Sequence, residues 1–177
     1  PLLDLALDRL APLAGAGPDH LAVNAHAFAQ AVVAHAGGRA HVSVEDGGAR
    51  GTAGGLGLLR PWIDGRDVAV TNADAYLPGG LRRFADAAGG WDGERSRLLC
   101  GTVDGAGDFP GVRPGLRYVG ACLLPWAAVR DLPTEPSGLF EVLWRAQAAA
   151  GLLELVLLDE ADAGDVAIDC GTPRDYL

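Results

Sequence analysis

Lysine is missing from this chain. All 14 basic residues are arginine, set against 23 acidic ones, and the formal net charge is −9. A sequence this acidic lacks the basic footprint that a nucleic-acid backbone demands, so no nucleic-acid partner is expected. Any cationic contact that the chain makes with a phosphate has to come from arginine. Cysteine is also scarce. Cys100, Cys122 and Cys170 are odd in number, widely spaced and without a CxxC pair, which reads as reduced thiols of a cytoplasmic protein, mostly small core hydrophobes. There is no signal-peptide pattern and no apolar run long enough to cross a bilayer, so no membrane partner is expected either. His20, His26, His35 and His41 lack metal-ligand spacing, and only His26, at a strand end, invites a further look.

What is present is an apolar chain of 177 residues, 49% hydrophobic, enough for the core of one domain. Helical and extended patterns alternate along it. Leu2, Leu3, Leu5, Ala6, Leu10 and Leu13 form a helical face, and Ala27 to Ala36 reads as a helix with Phe28, Val32 and Val33 on its apolar side. Thr52 opens another helix that should end near Arg60, because Pro61 disfavours helix in the residue before it. Leu81 to Ala87 and Ser137 to Ala150 read as two more, the second capped by Ser137 with Leu139, Val142, Leu143 and Ala146 inward. Strands are expected at 20–24, 41–45, 67–72, 97–102, 117–124, 152–158 and 166–169. The Gly- and Pro-rich stretch from Gly105 to Gly115 reads as a loop or crossing segment. This order predicts an α/β fold, Rossmann-like, with a mostly parallel open sheet and helices on both faces. No internal repeat or linker divides residues 1–177, so a single domain is expected.

Two apolar runs end on aspartates. Asp67-Val-Ala-Val-Thr-Asn-Ala-Asp74 is one, and Val166-Ala-Ile-Asp169 is the other. A strand that stops on a carboxylate presents it at the carboxyl edge of the sheet, where open α/β sheets bind ligands. Two such groups can share a divalent cation, and Mg²⁺ is usually held by one or two carboxylates plus substrate phosphates. Taken singly, each aspartate is better explained by a turn or a cap than by catalysis. The loop from Glu45 to Leu56 joins a strand to a helix and places Gly51 and Thr52 at the helix N-terminus, where N–H groups are open to a ligand. It fits neither the Walker pattern nor the GxGxxG fingerprint.

Together these segments resemble the sugar-1-phosphate nucleotidylyltransferases. Val23-Asn-Ala-His26 is similar to that family's VN-x-H strand end, Glu45 with Gly51-Thr-Ala-Gly-Gly-Leu56 to its base-reading loop, and Val70-Thr-Asn-Ala-Asp74 to its metal strand, with Ala73 where the family usually has Gly. Tyr118-Val-Gly120, Leu139-Phe-Glu141 and Ala167-Ile-Asp-Cys-Gly-Thr-Pro-Arg-Asp-Tyr-Leu177 resemble the remaining motifs in order, the last most specifically. The resemblance implies a nucleotide-diphospho-sugar transferase fold and a Mg²⁺-dependent transfer of a nucleotidyl group from an NTP to a sugar 1-phosphate. Asp74 and Asp169 would hold the metal and be the catalytic carboxylates. Glu45, Gly51, Thr52 and Asn72 would bind the nucleotide, and Gly120 and Glu141 the sugar. The family's N-terminal GGxGTR phosphate loop has no counterpart here, and the expectation is a longer natural protein. A non-catalytic nucleotide-sugar-binding regulatory relative is the alternative. Base, sugar and any homo-oligomer are left open.

Overall fold

Two long strands are apolar on both sides, and the architecture follows from them. β5 (Ser96–Thr102) sends Leu98 and Cys100 to one face and Leu99 to the other, while β6 (Leu116–Leu124) sends Cys122 and Leu124 one way and Ala121 and Leu123 the other. Such period-2 strands have to be covered on both faces. The computed structural model describes residues 1–77, 88–157 and 168–171, with Ile168 and Asp169 described by backbone alone.

The remaining elements are α1 (Leu2–Ala14), β1 (Ala22–Ala25), α2 (Ala29–Ala36), β2 (His41–Val44), α3 (Gly51–Ile63), β3 (Val68–Thr71), β4 (Ala75–Tyr76), α4 (Trp126–Val129), a π-helical turn (Phe140–Trp144), α5 (Arg145–Ala150), β7 (Leu153–Leu157) and β8 (Ile168–Asp169). The main sheet has the order β3-β6-β5-β7, with separate pairs β1-β2 and β4-β8. α3 covers one face through Ala53, Leu56, Leu59 and Ile63, joined by Phe109 and Trp144. α1 covers the other through Leu10 and Leu13. Each fully buried Leu here is worth roughly 2 kcal/mol of transfer free energy.

The α/β reading holds, with an open, mixed sheet. β1 and β2 are parallel, as are β5 and β7, but β6 runs against both β3 and β5. The cause is the connection. Residues 103–115 form no crossover helix; they fold back on themselves through Val103 N–H to Gly115 O (2.9 Å) and Asp108 N–H to Leu116 O (2.7 Å), and Phe109 is driven into the core. A return this short gives an antiparallel neighbour.

Several local expectations are corrected. α3 runs through Pro61 to Ile63, because Gly57 O, which loses the Pro61 N–H, accepts from Arg60 Nε instead (3.2 Å). Ser137 does not cap a helix with its side chain; its Oγ donates to Glu135 O (3.0 Å). The π-helical turn that follows shifts the periodicity, so Val142 and Ala146 are exposed and Trp144 is buried in their place. Phe28 does not face an apolar side. It is 86% exposed, with a left-handed backbone, at the start of an α2 that buries only Ala36. The helix expected at Leu81–Ala87 lies outside the described residues. Among those that are described, no helix is long and apolar enough to cross a membrane.

Between the β1-β2 pair and β3 lies a cavity of about 240 Å³, floored by α1 (Leu10, Ala14) and roofed by α3 (Leu56, Leu59, Ile63). β1 and β3 flank it without pairing to each other.

Candidate active site

The chain leaves β3 at Thr71 and makes a turn before re-entering at β4. Asn72 N–H donates to Gly120 O (2.8 Å), and Ala75 N–H donates back to Asn72 O (3.3 Å), so Asn72, Ala73 and Asp74 project beyond the strand end. Gly120 itself has φ +85, and a Cβ there would stand 3.1 Å from the Ala75 Cβ and 3.3 Å from the Asn72 Cβ. Glycine is needed at this point both for the left-handed backbone and for the close approach of the turn.

β8 pairs antiparallel with β4, in the register Ala75 opposite Asp169, and Cys170 N–H donates to Asp74 O (2.9 Å). The backbone of Asp169 is thereby brought beside the turn that carries Asp74, although 95 positions separate the two in the sequence (169 − 74). Asp74 is exposed, and its carboxylate has no hydrogen-bond or ion-pair partner among the described residues. Carboxylate oxygen is a hard donor, the type that Mg²⁺ takes together with phosphate oxygens. Among the described residues no group of three or more His, Cys, Asp or Glu side chains converges on a point.

The Glu45 loop is built differently. Glu45 is 5% exposed, accepting from Asn24 Nδ2 (2.8 Å) on one carboxylate oxygen and from Arg50 N–H (2.8 Å) on the other. His26 Nδ1 lies 3.2 Å from Glu45 O. The glycines that follow serve close packing. A Cβ on Gly51, Gly54 or Gly57 would stand 2.6 Å from Ser137 O, 2.5 Å from Glu135 O and 2.0 Å from Pro133 O respectively, so the 132–137 segment lies directly on the backbone of α3. Gly51 also has φ +67. Ser137 O accepts the N–H of Ala53 (3.1 Å), which caps the helix from outside, while the N–H groups of Gly51 and Thr52 meet no protein acceptor among the described residues. A helix N-terminus with two open donors favours an anionic or acceptor-bearing ligand. Glu141 is exposed on the π-helical turn, and a Cβ on Gly138 would touch its Oε2 at 2.4 Å. Through Ser137, then, Gly51 and Glu141 belong to one stretch of surface.

The structure therefore draws the expected residues into two groups. Asn72, Asp74, Gly120 and the backbone of Asp169 form one; Glu45, Gly51 and Thr52, with Glu141 adjoining through the 137–141 segment, form the other. Sequence reasoning gave no role to Asn24, Arg50 or Arg9. Arg9 carried a readable signal, an arginine spaced at 2-6-9-13 among Leu2, Ala6 and Leu13 on the inward stripe of an amphipathic helix.

The fold defines a class. The chain superposes on HddC from Yersinia pseudotuberculosis, solved with GMP-PN, with a TM-score of 0.67 and 14% identity over 99% of this chain and 82% of that one. A protein described as a glucose-1-phosphate thymidylyltransferase from Bacillus anthracis, in complex with a sucrose, gives 0.71 and 16% over 99% and 79%. The inositol-1-phosphate CTP transferase from T. maritima gives 0.69 and 12% over 98% and 78%. The chain thus has the α/β fold of the nucleotidyltransferases. Neither a protein-family model nor a curated protein sequence matches it.

Proposed function

We propose that this protein is a cytoplasmic nucleotidyltransferase that joins an NTP to a sugar 1-phosphate and releases pyrophosphate, with Mg²⁺ as cofactor. One observation carries the reading. An exposed Asp74, without a partner among the described residues, stands on the turn against which the backbone of Asp169 is registered, at a strand end of a nucleotidyltransferase fold. Asp74 and Asp169 would hold the metal. When bound at such a site, Mg²⁺ neutralises charge on phosphate oxygens and favours attack at phosphorus.

The chain's other residues would bind and orient. Gly51 and Thr52 would offer their open N–H groups to the nucleotide. Glu45, which accepts from Asn24 and from the Arg50 N–H, would hold that loop in shape and present it to the base. Asn72 would meet the ribose or the sugar, Gly120 would leave room for the ring, and Glu141, exposed and able to accept from two hydroxyls, would take a sugar diol. Most of the rate in such a transfer comes from positioning and electrostatics.

The test is a pyrophosphate-release screen with the four NTPs against a panel of sugar 1-phosphates and inositol 1-phosphate. Release that requires Mg²⁺ and disappears in Asp74→Asn is the expected result. Release that survives both Asp74→Asn and Asp169→Asn would overturn the proposal. Binding of a nucleotide-sugar by calorimetry without any turnover would favour the regulatory alternative.

A further inference from the structure

We infer that Arg9 is a positioning residue for Asp74, an inference that rests on the nucleotidyltransferase reading. Arg9 lies on the inward face of α1 and is 3% exposed. One of its terminal nitrogens donates to Thr71 Oγ1, and the other donates to Ala75 O at 3.0 Å. Thr71 is the last residue of β3 and Ala75 the first of β4, so a single planar guanidinium bridges both feet of the turn made by Asn72, Ala73 and Asp74.

Backbone hydrogen bonds hold the rest of that turn among the described residues, from Asn72 N–H to Gly120 O, Ala75 N–H to Asn72 O and Cys170 N–H to Asp74 O. Arg9 supplies the side-chain clamp, and its rigid fork suits two acceptors at a fixed spacing. Among the described residues it has no carboxylate within ion-pair distance. Burial pushes its pKa down from the ordinary value, yet a guanidinium stays charged in proteins. A buried cation without a counter-ion is unfavourable, and a leucine would serve an inward helix position better. The arrangement makes sense if the geometry of the turn requires it. The cation ties the residue before the turn, Thr71, to the residue after it, Ala75, and so fixes the span from which Asp74 projects.

The experiment compares wild type, Arg9→Met, Arg9→Lys and Thr71→Val by hydrogen exchange of the amides at 72–76 and by the Mg²⁺ half-saturation of pyrophosphate release, with the KM for NTP measured at saturating Mg²⁺. In Arg9→Met the amides at 74–76 should exchange at least 10-fold faster, and half-saturation should rise 10- to 100-fold, the range for residues that orient metal ligands. KM for NTP should stay within about threefold, a split that a general loss of structure would not produce. Arg9→Lys should recover part of the loss. Thr71→Val, which deletes one acceptor and keeps the fold, should move both readouts the same way by about threefold; it carries the test if Arg9→Met fails to fold. Exchange at 72–76 and half-saturation within twofold of wild type in the folded variants would overturn the inference. Should wild type release no pyrophosphate, the enzyme reading fails and Arg9 loses its role toward a metal, while exchange still decides whether it holds the turn.

Discussion

Glu45 and Asp74 both stand just past the end of a strand on the carboxyl side, yet their surroundings are opposite. The Glu45 carboxylate is buried and satisfied on each oxygen by Asn24 and Arg50, whereas the Asp74 carboxylate is exposed and meets no protein donor among the described residues. A carboxylate hydrogen-bonded on both oxygens by its own chain organises structure, while one left open at a strand end is available to a cation. The same side-chain chemistry therefore meets two environments, satisfied by the chain itself at the β2–α3 loop and open, among the described residues, at the β3–β4 turn.

The comparison can be broken most directly through activity. Asp74→Asn and Asp169→Asn should each lower pyrophosphate release by a factor of about 10² or more, comparable to deleting a main source of transition-state stabilisation. Asp74→Asn should leave stability within about 0.5 kcal/mol of wild type, as befits an exposed site. On the scaffold side the loss should appear as stability. Gly57→Ala would place its Cβ 2.0 Å from Pro133 O, a backbone atom that has little room to yield. It should cost about 3 kcal/mol in urea unfolding, at the upper end for overpacking. Glu45→Ala strands the Asn24 amide and the Arg50 N–H, at about 2 kcal/mol by the same measurement. If Asp74→Asn proved as destabilising as Glu45→Ala, the distinction between the two carboxylates would fail.

Thiol chemistry sharpens the picture by a smaller effect. Burial pushes Cys122 up to about 12, and burial with nearby Asp108 does the same for Cys100. Both should resist a disulfide reagent at pH 8, while half-exposed Cys170, next to Asp169, reacts first. Mg²⁺ with NTP should slow that labelling. The smallest effect is expected at Asp4. Its carboxyl is held well below its ordinary 3.8 by hydrogen bonds from Arg39 and His35. A depressed folded pKa means that the stabilisation is present above 3.8 and is lost as pH falls toward the folded value. Asp4→Asn should therefore flatten the acid limb of a Tm-against-pH curve while leaving activity unchanged.

Much of the fold was legible because its signals are local. The apolar alternation of 96–102 and 116–124 gave both long strands to within a residue, and the Gly–Thr–Ala–Gly–Gly run marked the start of α3. What misled was also local. Pro61 ends helices in isolation, but Arg60 can serve the orphaned carbonyl, and Leu139 to Ala146 were read with a period of 3.6 that a π-helical turn breaks. The reversal of β6 escaped notice because strand direction depends on how a connection packs, and Gly- and Pro-rich residues between strands carry no periodicity that fixes it.

The sequence by itself determined the order of the longer described elements, the α/β class and the identity of the acidic residues at two strand ends, since propensity and period act over neighbouring residues, while the short β4 and α4 went unread. Tertiary structure decided which of those acids are open. Only packing could bury Glu45 between Asn24 and Arg50, register Asp169 against Ala75, and run Arg9 from α1 under the turn. Hydrogen-bond partners far apart along a chain are chosen by the way its layers close on one another, and no short window of residues holds that information.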